Sequence, residues 1–417
     1  MTLDRLEKNL IELNRFGALD KGITRLAYTQ EEMLAKKYIK YLCEQEGLTV
    51  REDACGNLIA RREGRYSSLP AIACGSHIDS VIEGGCFDGT IGVLGGLEVI
   101  RRFNEKNIQT DYPLELIVFA CEESSRFGVA TIGSKLMAGL ITKEDLQDLK
   151  DQQGVLFSQA LEASGYSFDE INQAKRDKEE LCLFLEMHIE QGPVLENENK
   201  QIGIVTGIAS PTRIHVEVFG KASHSGSTMM NMRKDALLGA SEIALATEEA
   251  AQKEVDFGTV ATVGVMEVKP GAMNVVPGLV DMKIDVRSIS YESKQRVIHK
   301  MLDTFTQVER QRDLKVKWTF LSDEQPVQLD DEVIQTLSQT AESLDIPYLL
   351  MPSGAGHDAM NMAQICPTGL IFVPSRDGLS HHPEEFTQME DIARGIDVLE
   401  KTILKYSFLS DTSKIRT

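Results

Sequence analysis

The chain has 417 residues, 42% hydrophobic and 26% charged, which suits two or three packed domains and excludes wholesale disorder. Asp and Glu outnumber Lys and Arg 64 to 44, for a formal net charge of −20. So acidic a chain repels phosphate backbones and anionic bilayers, which argues against nucleic-acid and membrane-surface partners.

No apolar run approaches the roughly 20 residues of a membrane span. The N-terminal segment places Leu3, Leu6, Leu10 and Leu13 at helical spacing among charges, a surface helix rather than a signal peptide. The seven cysteines (43, 55, 74, 86, 121, 182 and 366) are scattered without a CxxC pair, as expected of reduced thiols in a cytoplasmic protein. Thr29-Gln30-Glu31-Glu32 predicts a capping box opening a helix that Gly47 ends. Strands follow at Leu48–Arg51 and Asn57–Arg61, then at Ala71–Cys74 and Leu114–Cys121, with a helix at Thr90–Asn104 between the last two. Leu181–Met187 reads as another strand.

The pattern changes after Gly207. Arg213–Phe219 alternates apolar and polar residues, as in a sheet with one wet face. A helix from Asp235 to Lys253, strands at Gly258–Val268 and Leu279–Arg287, a helix at Ser293–Arg310 and a strand at Val316–Leu321 complete a βαββαβ unit. Apolar strand runs alternating with helices then return: helix Asp331–Leu344, strands Ile346–Met351 and Leu370–Val373, and a final helix from Glu390. The expected architecture is α/β, with a discontinuous domain (1–210 and 327–417) built on a mixed sheet flanked by helices. Residues 211–326 form an inserted α+β sandwich.

Histidines and acids recur at predicted strand ends, where open α/β sheets place ligand sites. In Gly75-Ser76-His77-Ile78-Asp79, His77 can face a metal while Asp79 orients it from behind. Asp88 stands in a glycine-rich turn just before a helix, placed to bridge two cations. Of the adjacent acids Glu122 and Glu123, one can ligate metal and the other can take a proton from water. His188 and His381 lie past two further strands. The set His77, Asp88, Glu123, His188 and His381 offers nitrogen and carboxylate without thiolate, which suits a catalytic zinc or manganese pair better than a closed structural zinc.

The stretches GSHIDSVIEGGCFDG, EESSRFG, HIEQGPVLE, HSGSTMMNMRKDAL, NVVPG, DVR, GAGHDA and GLSHHPEE resemble, in order and spacing, the M20-type metallopeptidase superfamily. Within it they are similar to the branch of N-carbamoyl-L-amino-acid hydrolases, β-ureidopropionases and allantoate amidohydrolases. The resemblance implies a two-metal catalytic domain with an inserted lid domain that also dimerises. It further implies metal ligands His77, Asp88 (bridging), Glu123, His188 and His381, with Glu122 as general base and Asp79 as the carboxylate that orients His77. Gln191, His224, Asn274, Arg287 and Gly356 match substrate-contacting positions, and His224 also matches a group that stabilises the oxyanion. Two divalent cations per subunit are implied, with zinc, manganese and cobalt all suited to the donors.

Other residues read more simply. His382 flanks a ligand, His357 fixes a loop, His215 and His299 sit on the surface, and Cys86 and Cys121 pack. Ser124 stands where the family usually has glycine, and Met229 where proline is common. Ser210-Pro211-Thr212-Arg213 matches neither the polar stretch of allantoate amidohydrolases nor the apolar one of carbamoylases. The expected activity is hydrolysis of the carbamoyl group of a small ureido carboxylate by a homodimer. N-carbamoyl-L-amino acids come first and allantoate second; an aminoacylase or dipeptidase activity is disfavoured by HIEQG.

Overall fold

A computed structural model describes residues 2–409. The chain forms two compact units: one holds the chain up to Thr206 with Leu329–Met351 and the stretch from Gly356 onward, the other holds Gly207–Gln328 with Pro352–Ala355. The strands, in chain order, are β1 (Thr49–Glu52), β2 (Leu58–Arg62), β3 (Ala71–His77), β4 (Leu114–Phe119), β5 (Leu181–Ile189), β6 (Ile202–Ile208), β7 (Ser210–Phe219), β8 (Ser223–His224), β9 (Val260–Lys269), β10 (Val275–Val276), β11 (Leu279–Ser288), β12 (Lys315–Asp323), β13 (Val327–Gln328), β14 (Tyr348–Ser353) and β15 (Thr368–Val373).

In the first unit the sheet runs β1-β2-β4-β3-β5-β15-β6, with β14 also paired to β6. Its centre, β4-β3-β5-β15, is parallel, and β2 and β6 join it antiparallel. Parallel strands are covered on both faces, so every residue of β3, β4 and β15 is buried. The main core joins these strands to helices Thr2–Asn14, Gln30–Gln45, Thr90–Glu105, Asp331–Ser343 and Met389–Tyr406. Leu6, Leu10 and Leu13 of the first helix are buried in it, so the leucine stripe is the helix's packing face.

Several boundaries differ from expectation for identifiable reasons. β3 runs on through His77 and β5 through Ile189, because His77 and His188 stay in parallel register with Phe119 and Phe372. Both histidines therefore belong to strand ends and do not follow them. Thr29 caps its helix through the Glu32 amide at 3.4 Å, but Glu32 turns its carboxylate to Lys36 at 3.2 Å, so a full capping box does not form. β6, unforeseen in the sequence, follows a turn at Glu198-Asn199 and is separated from β7 by Ala209 alone. The stretch between β4 and β5, also unassigned, folds into short helices at Ile132–Met137 and Phe157–Ala163 and a 3₁₀ turn at Phe168–Ala174. They pack a separate aromatic cluster that includes Phe127, Phe157 and Phe168.

The second unit is a two-layer sandwich. Its sheet runs β12-β7-β11-β9, antiparallel throughout. Ile214, Val216 and Val218 of β7 and Val280, Met282, Ile284 and Val286 of β11 are buried against helices Ala236–Gln252 and Tyr291–Arg312. The side chain of Lys294 is fully buried; its ammonium donates to the Ser210 hydroxyl at 3.1 Å and to the Glu324 carbonyl, tying the start of the unit to its end. All seven cysteines are free.

Candidate active site

The carboxyl ends of β3, β4 and β5 and the loop after β15 bring His77, Asp88, Glu122, Glu123, His188 and His381 together in the first unit. Asp88 is the centre. Its Oδ1 lies 3.3 Å from His77 Nε2 and 3.2 Å from His188 Nε2, while its Oδ2 lies 3.4 Å from His381 Nε2. Glu123 Oε1 stands 3.3 Å from the same His381 nitrogen. Among the described residues, atoms able to hold a metal form three groups, each spanning no more than 4.8 Å: His77–Asp88–His188 and Asp88–Glu123–His381, which share one aspartate, and Glu186–His188–His357.

The imidazole tautomers follow from the backbone. His77 Nδ1 lies 3.0 Å from the Asp79 carbonyl and His188 Nδ1 lies 3.0 Å from the Ile189 carbonyl. A carbonyl only accepts, so each Nδ1 carries a proton, which leaves Nε2 as the ring atom that faces Asp88. The Asp79 backbone oxygen is thus what orients His77. The Asp79 carboxylate sits 3.7 Å from Nδ1 and instead accepts the amides of Glu122 at 3.2 Å and Glu123 at 3.0 Å. It thereby aims both acids.

Crowding buried carboxylates beside imidazoles shifts both. Burial pushes Glu122 well above the usual carboxylate range against the pull of His77, with the charges of Glu123 and Asp358 adding to the rise. Burial also lifts Asp79 to about 6. Burial alone would lower His77, yet the facing acids, Glu122 foremost, hold it well above its ordinary value. Asp88, despite burial, is drawn well below its usual value by His188 and the other two histidines. So many buried acids around imidazoles whose Nε2 atoms face inward form a donor set that fits divalent cations.

Strained backbone marks the same place. Gln191 and His381 both sit in the left-handed region, at φ +58° and +55°. The Gln191 amide donates to Asp88 Oδ2 at 2.6 Å and reaches the Ser380 hydroxyl at 3.1 Å, while its Oε1 is buried without a protein partner. Ser380 was not anticipated, although it precedes a predicted ligand. His357 is buried edge-on against the His188 ring, centroids 4.6 Å apart, and begins the helix Asp358–Met362. Cys86 and Cys121 belong to apolar packing and to none of the three groups that could hold a metal. His215 pairs with Asp281 at 3.0 Å.

The remaining anticipated positions divide between the units. Gly356 is exposed in the first, while His224, Asn274 and Arg287 belong to the second. There β8 and β10 pair His224 with Val275, and the Ser225 amide donates to the Asn274 carbonyl at 2.9 Å. His224 Nδ1 accepts the amides of Gly226 at 3.1 Å and Ser227 at 3.2 Å, which places the ring proton of neutral His224 on its outward Nε2. Asp285 takes the Nε of Arg287 at 2.8 Å, while Nη1 donates to the Gly354 carbonyl at 3.1 Å.

A parallel-centred α/β sheet carrying two ligand groups on a shared aspartate, with a further acid beside them, has the layout of a hydrolase that uses a pair of cations. Residues 73–405 match the model of peptidase family M20/M25/M40, and the chain belongs to that family. It is 41% identical to the N-carbamoyl-L-amino-acid amidohydrolase of Paenarthrobacter aurescens, over 95% of this chain and 96% of that one. It is 39% identical to the ureidoglycolate hydrolase of Arabidopsis thaliana, over 96% and 86%. Among solved structures, a hydantoinase/carbamoylase family amidase from Burkholderia multivorans superposes with a TM-score of 0.91 at 35% identity, covering 97% and 98% of the two chains. The protein is therefore an amidohydrolase of the carbamoylase and allantoate amidohydrolase branch, acting on carbon–nitrogen bonds other than peptide bonds.

Proposed function

We propose that the protein removes the carbamoyl group of N-carbamoyl-L-amino acids, releasing the amino acid, ammonia and carbon dioxide. The observation that carries the reading is Asp88, which turns one oxygen toward each of two ligand groups beside a buried acid that ligates neither. His77, Asp88 and His188 would hold one divalent cation and Asp88, Glu123 and His381 the other. Bound there, zinc or manganese would polarise the ureido carbonyl and acidify water.

The chain's own groups do the rest. Glu122, raised by burial, is the base that takes the water proton and returns it to the leaving nitrogen. Asp79 holds Glu122 and Glu123 by their amides. Gln191 and Gly356 shape the substrate end of the first unit. From the second unit, His224 donates its Nε2 proton to the oxyanion, Asn274 assists, and the guanidinium of Arg287 takes the substrate carboxylate. That unit acts as a lid and as the interface of a homodimer. Seven free thiols suit a reducing, cytoplasmic setting.

A second reading is supported by the similarity to a ureidoglycolate hydrolase. Ureidoglycolate is a carbamoyl nitrogen on a hydroxylated two-carbon carboxylate, so the same anchor and the same bond serve both substrates. Allantoate also carries its carboxylate on the carbon that bears the ureido nitrogen and meets the same anchor, whereas N-carbamoyl-β-alanine places the carboxylate one carbon further away. The test is a product-resolved panel of N-carbamoyl-L-amino acids, ureidoglycolate, allantoate, N-carbamoyl-β-alanine, an N-acetyl amino acid and a dipeptide. The highest kcat/KM is expected for an N-carbamoyl-L-amino acid, with one ammonia per amino acid formed. Turnover confined to the dipeptide or the acetyl compound would refute the reading.

A further inference from the structure

Glu385 lies outside the reacting groups, yet its carboxylate joins the two loops that carry Asp88 and His381. Its Oε1 accepts the amides of Phe87 at 2.9 Å and of Asp88 at 3.1 Å, the latter 297 residues away in sequence. Its Oε2 lies 3.1 Å from the Ser380 hydroxyl, and that hydroxyl lies 2.9 Å from Asp88 Oδ2. The residue is 4% exposed. The loop opposite makes room for it: a Cβ on Gly85 would stand 2.2 Å from Oε1 and 2.4 Å from the Glu385 Cβ, so position 85 must be glycine. His381 most needs such an anchor. Its side chain is 50% exposed and its backbone is left-handed, so packing of its own ring does little to fix it.

We infer that Glu385 is a positioning residue that sets the separation of Asp88 and His381 and so governs how tightly the cation shared by Asp88, Glu123 and His381 is held. The inference rests on the two-cation reading of the proposed function. A buried carboxylate that collects two backbone N–H groups from one loop and lies within hydrogen-bond reach of a hydroxyl on the other, whose one proton it shares with Asp88, works as a cross-brace. Removing it leaves both amides without an acceptor and frees the His381 loop to shift.

The test is a titration of Mn²⁺ and of Zn²⁺ into the metal-depleted full chain against a chromophoric chelator, for the wild type, E385A, E385Q and S380A. Thermal unfolding of each metal-free protein is recorded alongside. E385A is expected to weaken the affinity for one cation by roughly 10–100-fold, with kcat at saturating metal within a few-fold of wild type. E385Q is expected to stay within a few-fold of wild type. Its amide oxygen can accept both backbone N–H groups, and its NH₂ can donate to Ser380 Oγ, which keeps its own proton for Asp88. A residue that only stabilises the fold would lower the melting temperature of E385A and leave its metal affinity unchanged. That result overturns the inference, as does an E385Q protein as weak as E385A. If E385A does not fold, S380A carries the test, with a loss of roughly tenfold expected and wild-type affinity counting against the cross-brace. A wild-type chain that binds neither cation would overturn the two-cation reading itself, and the inference with it.

Discussion

Glu122 shows how a single side chain is prepared by its surroundings. Its amide is tied to Asp79, its carboxylate lies 3.7 Å from His77 Nε2, and burial raises its proton affinity well above that of an ordinary carboxylate. Glu122→Gln keeps the size and removes the proton acceptor. Turnover should fall by roughly 10²–10⁴-fold while metal content stays at the wild-type value; steady-state rates with elemental analysis of the same samples check both halves. Arg287 poses the opposite question, because its guanidinium already holds Asp285 and the Gly354 carbonyl. Arg287→Lys keeps the charge and loses the planar fork, so kcat/KM for carboxylate substrates should drop roughly ten- to a hundredfold, with kcat less affected. If the lysine enzyme matches the arginine enzyme, the substrate carboxylate is held elsewhere.

Among the elements, the turn between Asp88 and helix Thr90–Glu105 is the most constrained. Gly89 has φ +65°, and a Cβ there would stand 2.5 Å from His77 Nε2, inside the position a ligand atom must occupy. Gly89→Ala should leave the fold intact by circular dichroism and cut metal affinity by at least roughly tenfold; wild-type metal binding in this variant would place the ligand atoms elsewhere. The elements that carry the site were legible in the sequence because β3, β4, β5 and β15 are short apolar runs with His, Asp or Glu at or soon after their ends. The α/β architecture followed from the same runs, and the βαββαβ order of the second unit was visible in its alternating strands. What stayed hidden depends on contacts between distant segments. Glu385 closes the GLSHHPEE stretch, but nothing in the chain says that its carboxylate reaches Phe87 and Asp88. Asp79 was expected to orient His77 by its carboxylate; the carbonyl does so, and only the fold reveals which oxygen is nearer. The short helices between β4 and β5 have too few turns to show a period, and their stability comes from the aromatic cluster they share.

At the scale of the whole molecule, the division of site residues between two units sets the largest question. His77, Asp88, Glu122, Glu123, His188 and His381 belong to one, and His224, Asn274 and Arg287 to the other. If the second unit serves as lid and dimer interface, His224 can reach a substrate on the partner subunit, with hinges near Gly207 and Pro326. Mixing inactive Glu122→Gln subunits with inactive His224→Ala subunits then yields mixed dimers with one intact site. Activity should recover toward half of wild type for those dimers; no recovery despite proven subunit exchange would assign His224 to its own subunit. A pair of cations acting on a ureido bond underlies all of this chemistry, and one titration tests it most directly. Ammonia release from an N-carbamoyl-L-amino acid is measured as manganese or zinc is added back to metal-depleted protein. Two ligand groups on one aspartate predict negligible release without metal and a rise that levels off at two equivalents per chain. Release that survives metal removal, or that saturates at one equivalent, would contradict it.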